Sequence, residues 1–196
     1  MANANVHVCF PDPYFYIANK ESLKVEREFE VAIKGFYRDL KVDSIDAKEG
    51  IYFVVVVRPD KDGGLLPNRI IYIGQGMKMR ERISKHDKHD EFLAKCDKDA
   101  REQVAYYSGR TGALSPEDLD WCEAAIISEY EDLSTRAYLI NDQHKDNYGY
   151  KTALVKLYFA DDSKNAGLAL PKIFQFTEFI VYQDTEDAKP RPVEKK

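Results

Sequence analysis

The chain predicts an α+β fold, a small antiparallel β-sheet flanked by helices, on three observations. The first is a pair of apolar runs, Phe53-Val54-Val55-Val56-Val57 and Ile70-Ile71-Tyr72-Ile73, separated by a Pro/Gly/Asp-rich stretch from Arg58 to Asn68. β-branched and aromatic runs bounded by turn formers read as strands, and a hairpin connection makes them antiparallel. The second is an alternating run over residues 103–108, with Val104 and Tyr106 set against Ala105 and Tyr107. The third is the helical patterning around them. Residues 77–94 carry Met79, Ile83 and Leu93 as an inward face. A second helix starts at Ser115-Pro116-Glu117-Asp118, with Ser as cap, Pro at the first helical position and acids in the first turn.

The remaining chain is read as additions to this core, taken as residues 49–150. Residues 1–48 form an N-terminal extension of a short strand plus a helix, serving as extra core. Its strand is the apolar run at residues 6–10, an edge strand stopped by Pro11 and Pro13. Its helix covers residues 22–40, where Leu23, Phe29, Ala32, Ile33, Phe36, Tyr37 and Leu40 recur near helical period. Residues 151–184 supply further strands, at 152–159 and 173–182, that extend the sheet. Residues 185–196 are polar and Pro-containing, which predicts a flexible tail.

Composition narrows the function classes. A chain of 196 residues can bury ~70% of its unfolded surface, enough for one self-sufficient domain. A net charge of -5 and a pI near 5.5 do not suit a promiscuous nucleic-acid binder, whose affinity comes from neutralising phosphates. Any nucleic-acid contact must therefore rest on local positive charge. One stretch supplies it. From Arg69 to Lys88 there are six Lys or Arg against Glu81 and Asp87, a net of about +4. Lys78, Arg80, Lys85 and Lys88 are its exposed members, read as a landing strip for phosphates. Cys9, Cys96 and Cys122 show no CxxC spacing. His86, Asp87, His89, Asp90 and Cys96 match no usual zinc-finger spacing. No signal peptide or apolar span of about eighteen residues occurs, which points to a cytoplasmic protein.

Several side chains of chemical interest converge in this scheme. Antiparallel pairing places Tyr52, at the start of one strand, and Tyr72, near the end of the next, at the same end of the hairpin. The following helix leaves from that end, and Arg82 and His86, four apart, share its face. On the helix after the third strand, Leu119, Cys122, Ile126, Tyr130 and Leu133 form the buried stripe. Glu123 lies beside that stripe, where a carboxylate is costly to desolvate unless a cation or donors satisfy it. Singly, each has a plain reading: strand tyrosines in the core, a surface arginine, a glutamate reaching to water.

The ordered set Gly50-Ile51-Tyr52, Tyr72-Ile73-Gly74, Arg82, His86 resembles the GIY-YIG nuclease family, over about residues 50–147. That family is built on a small antiparallel sheet flanked by helices and cuts nucleic-acid phosphodiesters with a divalent metal. The resemblance implies Tyr52 as general base, Tyr72 positioning water or phosphate, and Arg82 as a phosphate fork. It implies His86 accepting or orienting the tyrosine proton, Glu123 as the metal ligand, and Asn141 near the active site. The ion would be Mg²⁺ (or Mn²⁺), which one carboxylate can anchor with several waters kept. An unperturbed phenol titrates near ~10, so Tyr52 would need Arg82, the metal or Lys78 to hold it deprotonated. The expected activity is a metal-dependent endonuclease acting on DNA in preference to RNA. Without zinc fingers or helix-hairpin-helix repeats, its layout suits a restriction-type or phage-type enzyme rather than a modular homing or repair one. Cutting both strands would need a homodimer or two encounters. The alternative is a catalytically silent module with the same fold that binds nucleic acid or protein.

Overall fold

The computed structural model describes residues 6–9, 27–38, 45, 48–133, 139–141, 152–159 and 179–183. Its elements are β1 (Val6–Cys9), β2 (Arg27–Arg38), β3 (Gly50–Pro59), β4 (Leu65–Gly76), α1 (Met79–Ser84), α2 (His89–Ala94), β5 (Gln103–Arg110), α3 (Pro116–Leu133), β6 (Thr152–Phe159) and β7 (Phe179–Gln183). Among the described residues, seven strands join one sheet in the order β1-β7-β6-β2-β5-β3-β4. The class is α+β, but the sheet is larger than expected and mixed. β1 pairs parallel with β7 and β2 parallel with β6, while the other pairings are antiparallel.

The apolar run of β3 reflects its place between β4 and β5. Covered on both faces, it has no polar side to show, and Gly50 through Val57 are all buried. Ile51, Phe53, Val55 and Val57 join the cluster under α3, with Ala105 and Tyr107 of β5. Tyr52, Val54 and Val56 face the other way, onto Met79, Ile83 and Phe92. The sheet thus carries two cores, one under α3 and one under α1 and α2.

The helix expected over residues 22–40 is a strand across its described part, residues 27–38. The deciding period is two. Phe29, Val31 and Ile33 are buried while Glu28, Glu30 and Lys34 are exposed, an alternation a helix would not produce. β2 lies between β6 and β5, so this part of the N-terminal region is inside the sheet. Residues 22–26, 39–40, 173–178 and the tail at 185–196 lie outside the described residues.

The helix expected over residues 77–94 is two short helices. In an unbroken helix the Lys88 N–H would bond to the carbonyl four residues back; here it donates to His86 Nδ1 at 3.1 Å. A side chain taking a nearby backbone donor competes with the helix in this way. The break resets the phase, so Phe92 is buried and Leu93 is 49% exposed, the reverse of the expected facing.

One contact caps the start of α3 and a second, from Arg27, ties it to the sheet. Ser115 Oγ accepts the Asp118 N–H at 3.1 Å, the expected N-cap. Arg27 of β2 pairs with Asp118 and Glu117 at 2.6 and 2.7 Å and stacks over Trp121. Among the described residues, no helix is long and apolar enough to cross a membrane.

Candidate functional site

The register of the hairpin brings the two tripeptides side by side. Gly50 pairs with Gly76, Tyr52 with Gly74, and Val54 with Tyr72. Cross-strand partners share a face, so both phenols stand on the α1 side at one end of the sheet. The rings are stacked, with centroids 6.0 Å apart and planes at 29°.

The glycines matter because of what approaches them. A Cβ at Gly74 would stand 2.5 Å from the Tyr52 hydroxyl and 2.8 Å from its Cε1. The Tyr52 ring therefore lies across a backbone position that only glycine leaves open. At Gly50 a Cβ would run into the backbone carbonyl of Gly109 on β5, so this glycine lets β3 lie close against β5, with the Met79 side chain of α1 also within 2.8 Å.

Arg82 and His86 reach the same corner by different routes. Arg82 lies on α1 with an exposed side chain. Burial of its head works against its charge, but Tyr52, Tyr72 and Asp87 more than offset that, and its pKa is raised. His86 is not on the helix face expected. It sits past the end of α1, its side chain only 1% exposed, edge-on to Tyr72 at 5.0 Å and to Tyr52 at 5.9 Å. Phe92 lies against His86 at 4.8 Å and Tyr72 at 5.4 Å. Sequence reading passed over Phe92 because a continuous helix would have turned it outward.

The tautomer of His86 follows from its neighbours. Nδ1 is 3.1 Å from the Lys88 N–H and 3.2 Å from Asp87 Oδ1. The backbone donor is fixed, whereas the Asp87 side chain is 77% exposed and can turn to water. The neutral ring thus accepts at Nδ1 and carries its proton on Nε2, which is buried without a hydrogen-bond partner. Burial, reinforced by Arg82, drives its pKa down to about 4. In this form Nε2 is a hydrogen-bond donor, while Nδ1 is already taken by the Lys88 N–H.

A stability prediction follows with a definite sign. The unfolded chain protonates His86 near 6.5 and the folded chain only near 4. The stabilisation tied to a neutral His86 is whole above the unfolded value and lost as pH falls from about 6.5 to 4. Urea midpoints measured at pH 7 and pH 5 should therefore drop more in the wild type than in His86→Gln. Equal drops would contradict the assignment.

Neither phenol is set up as an ionised base at rest. Burial raises the Tyr52 pKa, Tyr72 adds to it, and the opposing pull of Arg82 does not prevail. Tyr52 is fully buried and its hydroxyl has no partner in hydrogen-bonding geometry. Lys78, 75% exposed and paired with Glu81, does not hold Tyr52 deprotonated. Tyr72 is partly exposed. Burial and then Glu123 push it up, while Tyr52, Arg82 and Lys88 pull it down.

Glu123 arrives from α3, on the other face of the sheet, yet its carboxylate acts on both phenols. It is 6% exposed, and α3 is buried all along Trp121 to Ile127. Gln75, just after the second tripeptide, donates to Asp120 at 2.7 Å and pins the adjoining turn of α3 to β4. Tyr52, Tyr72, Arg82 and His86 thus gather at one corner, with the Glu123 carboxylate, carried by α3 on the other face of the sheet, in electrostatic reach of both phenols.

Asn141 is at that corner in another capacity. Its amide pairs with the Ile73 backbone in both directions, accepting at 3.1 Å and donating at 2.7 Å. Ile140 N–H donates to Ile71 C=O at 2.8 Å. Residues 140–141 thereby cover the outer edge of β4 beside Tyr72, with the Asn141 amide tied to the strand backbone through one N–H and its oxygen.

The basic strip is smaller than its charge count. Arg69 is bidentate to Glu102 at 2.6 and 2.7 Å, holding that carboxyl down at about 2. Arg80 donates twice to Ile45 C=O, and Lys88 Nζ donates to Ile140 C=O at 3.2 Å. Arg80 and Lys88 are half-buried rather than exposed, and these bonds brace the fold. Lys78 and Lys85 are 75% and 74% exposed, each beside Glu81. With Arg80, Glu81 and Ser84 they line a shallow depression on the outer side of α1.

The donor set suits a hard divalent ion: a buried carboxylate with phenol oxygens in electrostatic reach and no thiolate in the cluster. Among the described residues there is no group of three or more His, Cys, Asp or Glu that could hold a metal ion. No protein-family model matches the chain, and no curated protein or solved structure matches it either.

Proposed function

We propose that this protein is a metal-dependent endonuclease of the GIY-YIG type, hydrolysing phosphodiesters of DNA in preference to RNA. The observation that carries the reading is the gathering of Tyr52, Tyr72, Arg82 and His86 from two strands and the α1 region, with the buried Glu123 of α3 in electrostatic reach of both phenols. Such residue types have no shared structural purpose at a sheet corner, and burying Glu123 there costs free energy that packing alone would avoid. Glu123 would hold Mg²⁺ or Mn²⁺, and the bound ion would supply Lewis-acid polarisation of the phosphate. The exposed Arg82 presents a planar, permanently charged fork to phosphate oxygens. His86 donates from Nε2, and the phenols handle the proton of the attacking water. Asn141 holds Ile73 and so keeps Tyr72 in place. Lys78 and Lys85 supply diffuse attraction for the backbone. The protein would act in the cytoplasm, as a homodimer or in two encounters where both strands are cut.

The complete burial of Tyr52 favours a second reading, a binding module that has the architecture without turnover. Supercoiled-plasmid nicking separates the two. Mg²⁺ should support nicking, EDTA should stop it, and Arg82→Ala should slow it by about 10²–10³-fold. Binding without cutting of either DNA or RNA would favour the silent module.

A further inference from the structure

We propose that Arg69 and Glu102, which lie outside the motif residues, are positioning residues of the site: together they fix the C-terminal end of α2 and so hold Phe92 against Tyr72 and His86. The consequence for cutting rests on the nuclease reading above.

A helix of six residues cannot hold its own place, so α2 depends on what ties it down. Arg69 Nη2 donates at 2.7 Å to the carbonyl of Lys95, the residue that ends α2, where a cation also meets the negative end of the helix. Lys95 N–H in turn donates to Phe92 C=O at 3.2 Å. The same guanidinium grips both oxygens of Glu102. Asn68 Nδ2 and the Asp97 N–H add bonds to that carboxylate at 3.0 and 2.9 Å. Phe92, one turn back from Lys95, lies 5.4 Å from the Tyr72 ring and 4.8 Å from His86. A path of direct contacts therefore runs from Glu102 to the two site rings.

The backbone is bent to make this path. Val56 pairs with Arg69 and Val57 with Pro67, so Asn68 is the extra residue of a β-bulge. The bulge lets two consecutive side chains reach one carboxylate. A second bulge, at Ile71, lies between Arg69 and Tyr72 and turns both Ile71 and Tyr72 toward the core under α1 and α2. Immediately before Glu102, Arg101 takes a φ of 55°, a left-handed conformation that is unfavourable for a residue with a side chain. Bulges and backbone strain of this kind collect where side chains must be aimed.

Ring-¹³C tyrosine spectra and nicking kinetics of Arg69→Lys and Glu102→Gln test the assignment. Lysine keeps the charge but cannot span Glu102 and the Lys95 carbonyl at once. Glutamine keeps the volume and an acceptor for Arg69, so it serves even where Arg69→Lys does not fold. In each variant the Tyr72 ring signals should shift while those of Tyr107, under α3, stay in place. The nicking rate at saturating DNA should fall by about tenfold in Arg69→Lys and less in Glu102→Gln, with the half-saturating DNA concentration changed by less than about twofold. Phe92→Leu should act likewise. Joined to either variant, it should slow cutting no further than the slower single by more than about twofold, because both act through one contact. Unmoved Tyr72 signals in folded protein, or losses that multiply in the double variants, would overturn the proposal while leaving the nuclease reading standing. A wild type that cuts neither DNA nor RNA would overturn that reading, and the proposal with it.

Discussion

Glu123→Gln should lower metal-dependent nicking by at least about 10²-fold, because an amide cannot replace an ionised carboxylate as a hard-ion ligand. The same substitution should leave the fold as stable as the wild type, or more stable. The carboxylate is 6% exposed, and desolvating a negative charge weighs against the folded state. Gln fills nearly the same volume without that charge. Tm should hold or rise, by about 2–4 °C for each kcal/mol gained in a chain of this size. Loss of activity with gain of stability marks a residue kept for chemistry. A Glu123→Gln protein that melts well below the wild type would instead assign Glu123 to the fold.

Gly74→Ala should be among the most damaging single-methyl changes in the sheet. In an ordinary strand position, Gly to Ala gains roughly 0.5–1 kcal/mol by limiting the unfolded chain. Here the new Cβ would stand 2.5 Å from the Tyr52 hydroxyl, and the ring, buried on every side, has nowhere to retreat. Overpacking of this kind costs about 1–3 kcal/mol, so the sign reverses. Tm should fall by several degrees, and nicking should fall with it as the stacked phenols are displaced. Combined with Tyr52→Phe, which removes the crowded oxygen, the loss should be less than additive. An unchanged Tm in Gly74→Ala would show that Tyr52 does not lie where the structure has it.

Much of the site was legible because its parts are local and periodic. The paired apolar runs, the alternation of Val104 and Tyr106 against Ala105 and Tyr107, and the Ser115 cap all appear as read. Tyr52 and Tyr72 meet because antiparallel register follows from a hairpin. β2 was misread because Phe29, Ala32, Ile33, Phe36 and Tyr37 fit a helical count while Phe29, Val31 and Ile33 fit a strand; only the sheet neighbours arbitrate. The break at His86 was invisible for another reason. It depends on one side-chain nitrogen taking a backbone donor, which no periodicity reports. The bracing roles of Arg80, Lys88 and Asn141 rest on carbonyls and amides of Ile45, Ile140 and Ile73, distant in sequence. Charge counting sees cations in a strip and cannot see which are already committed.

Whether Glu123 holds a divalent ion beside the two phenols is tested most directly by Mn²⁺ titration into protein carrying ring-¹³C tyrosine. In the wild type, the Tyr72 and Tyr52 resonances should broaden first at low Mn²⁺, and Glu123→Gln should abolish that selectivity. Broadening that starts elsewhere, for instance around the Asp60 to Asp62 turn, or that persists at Tyr72 in Glu123→Gln, would contradict a metal-dependent site at this corner.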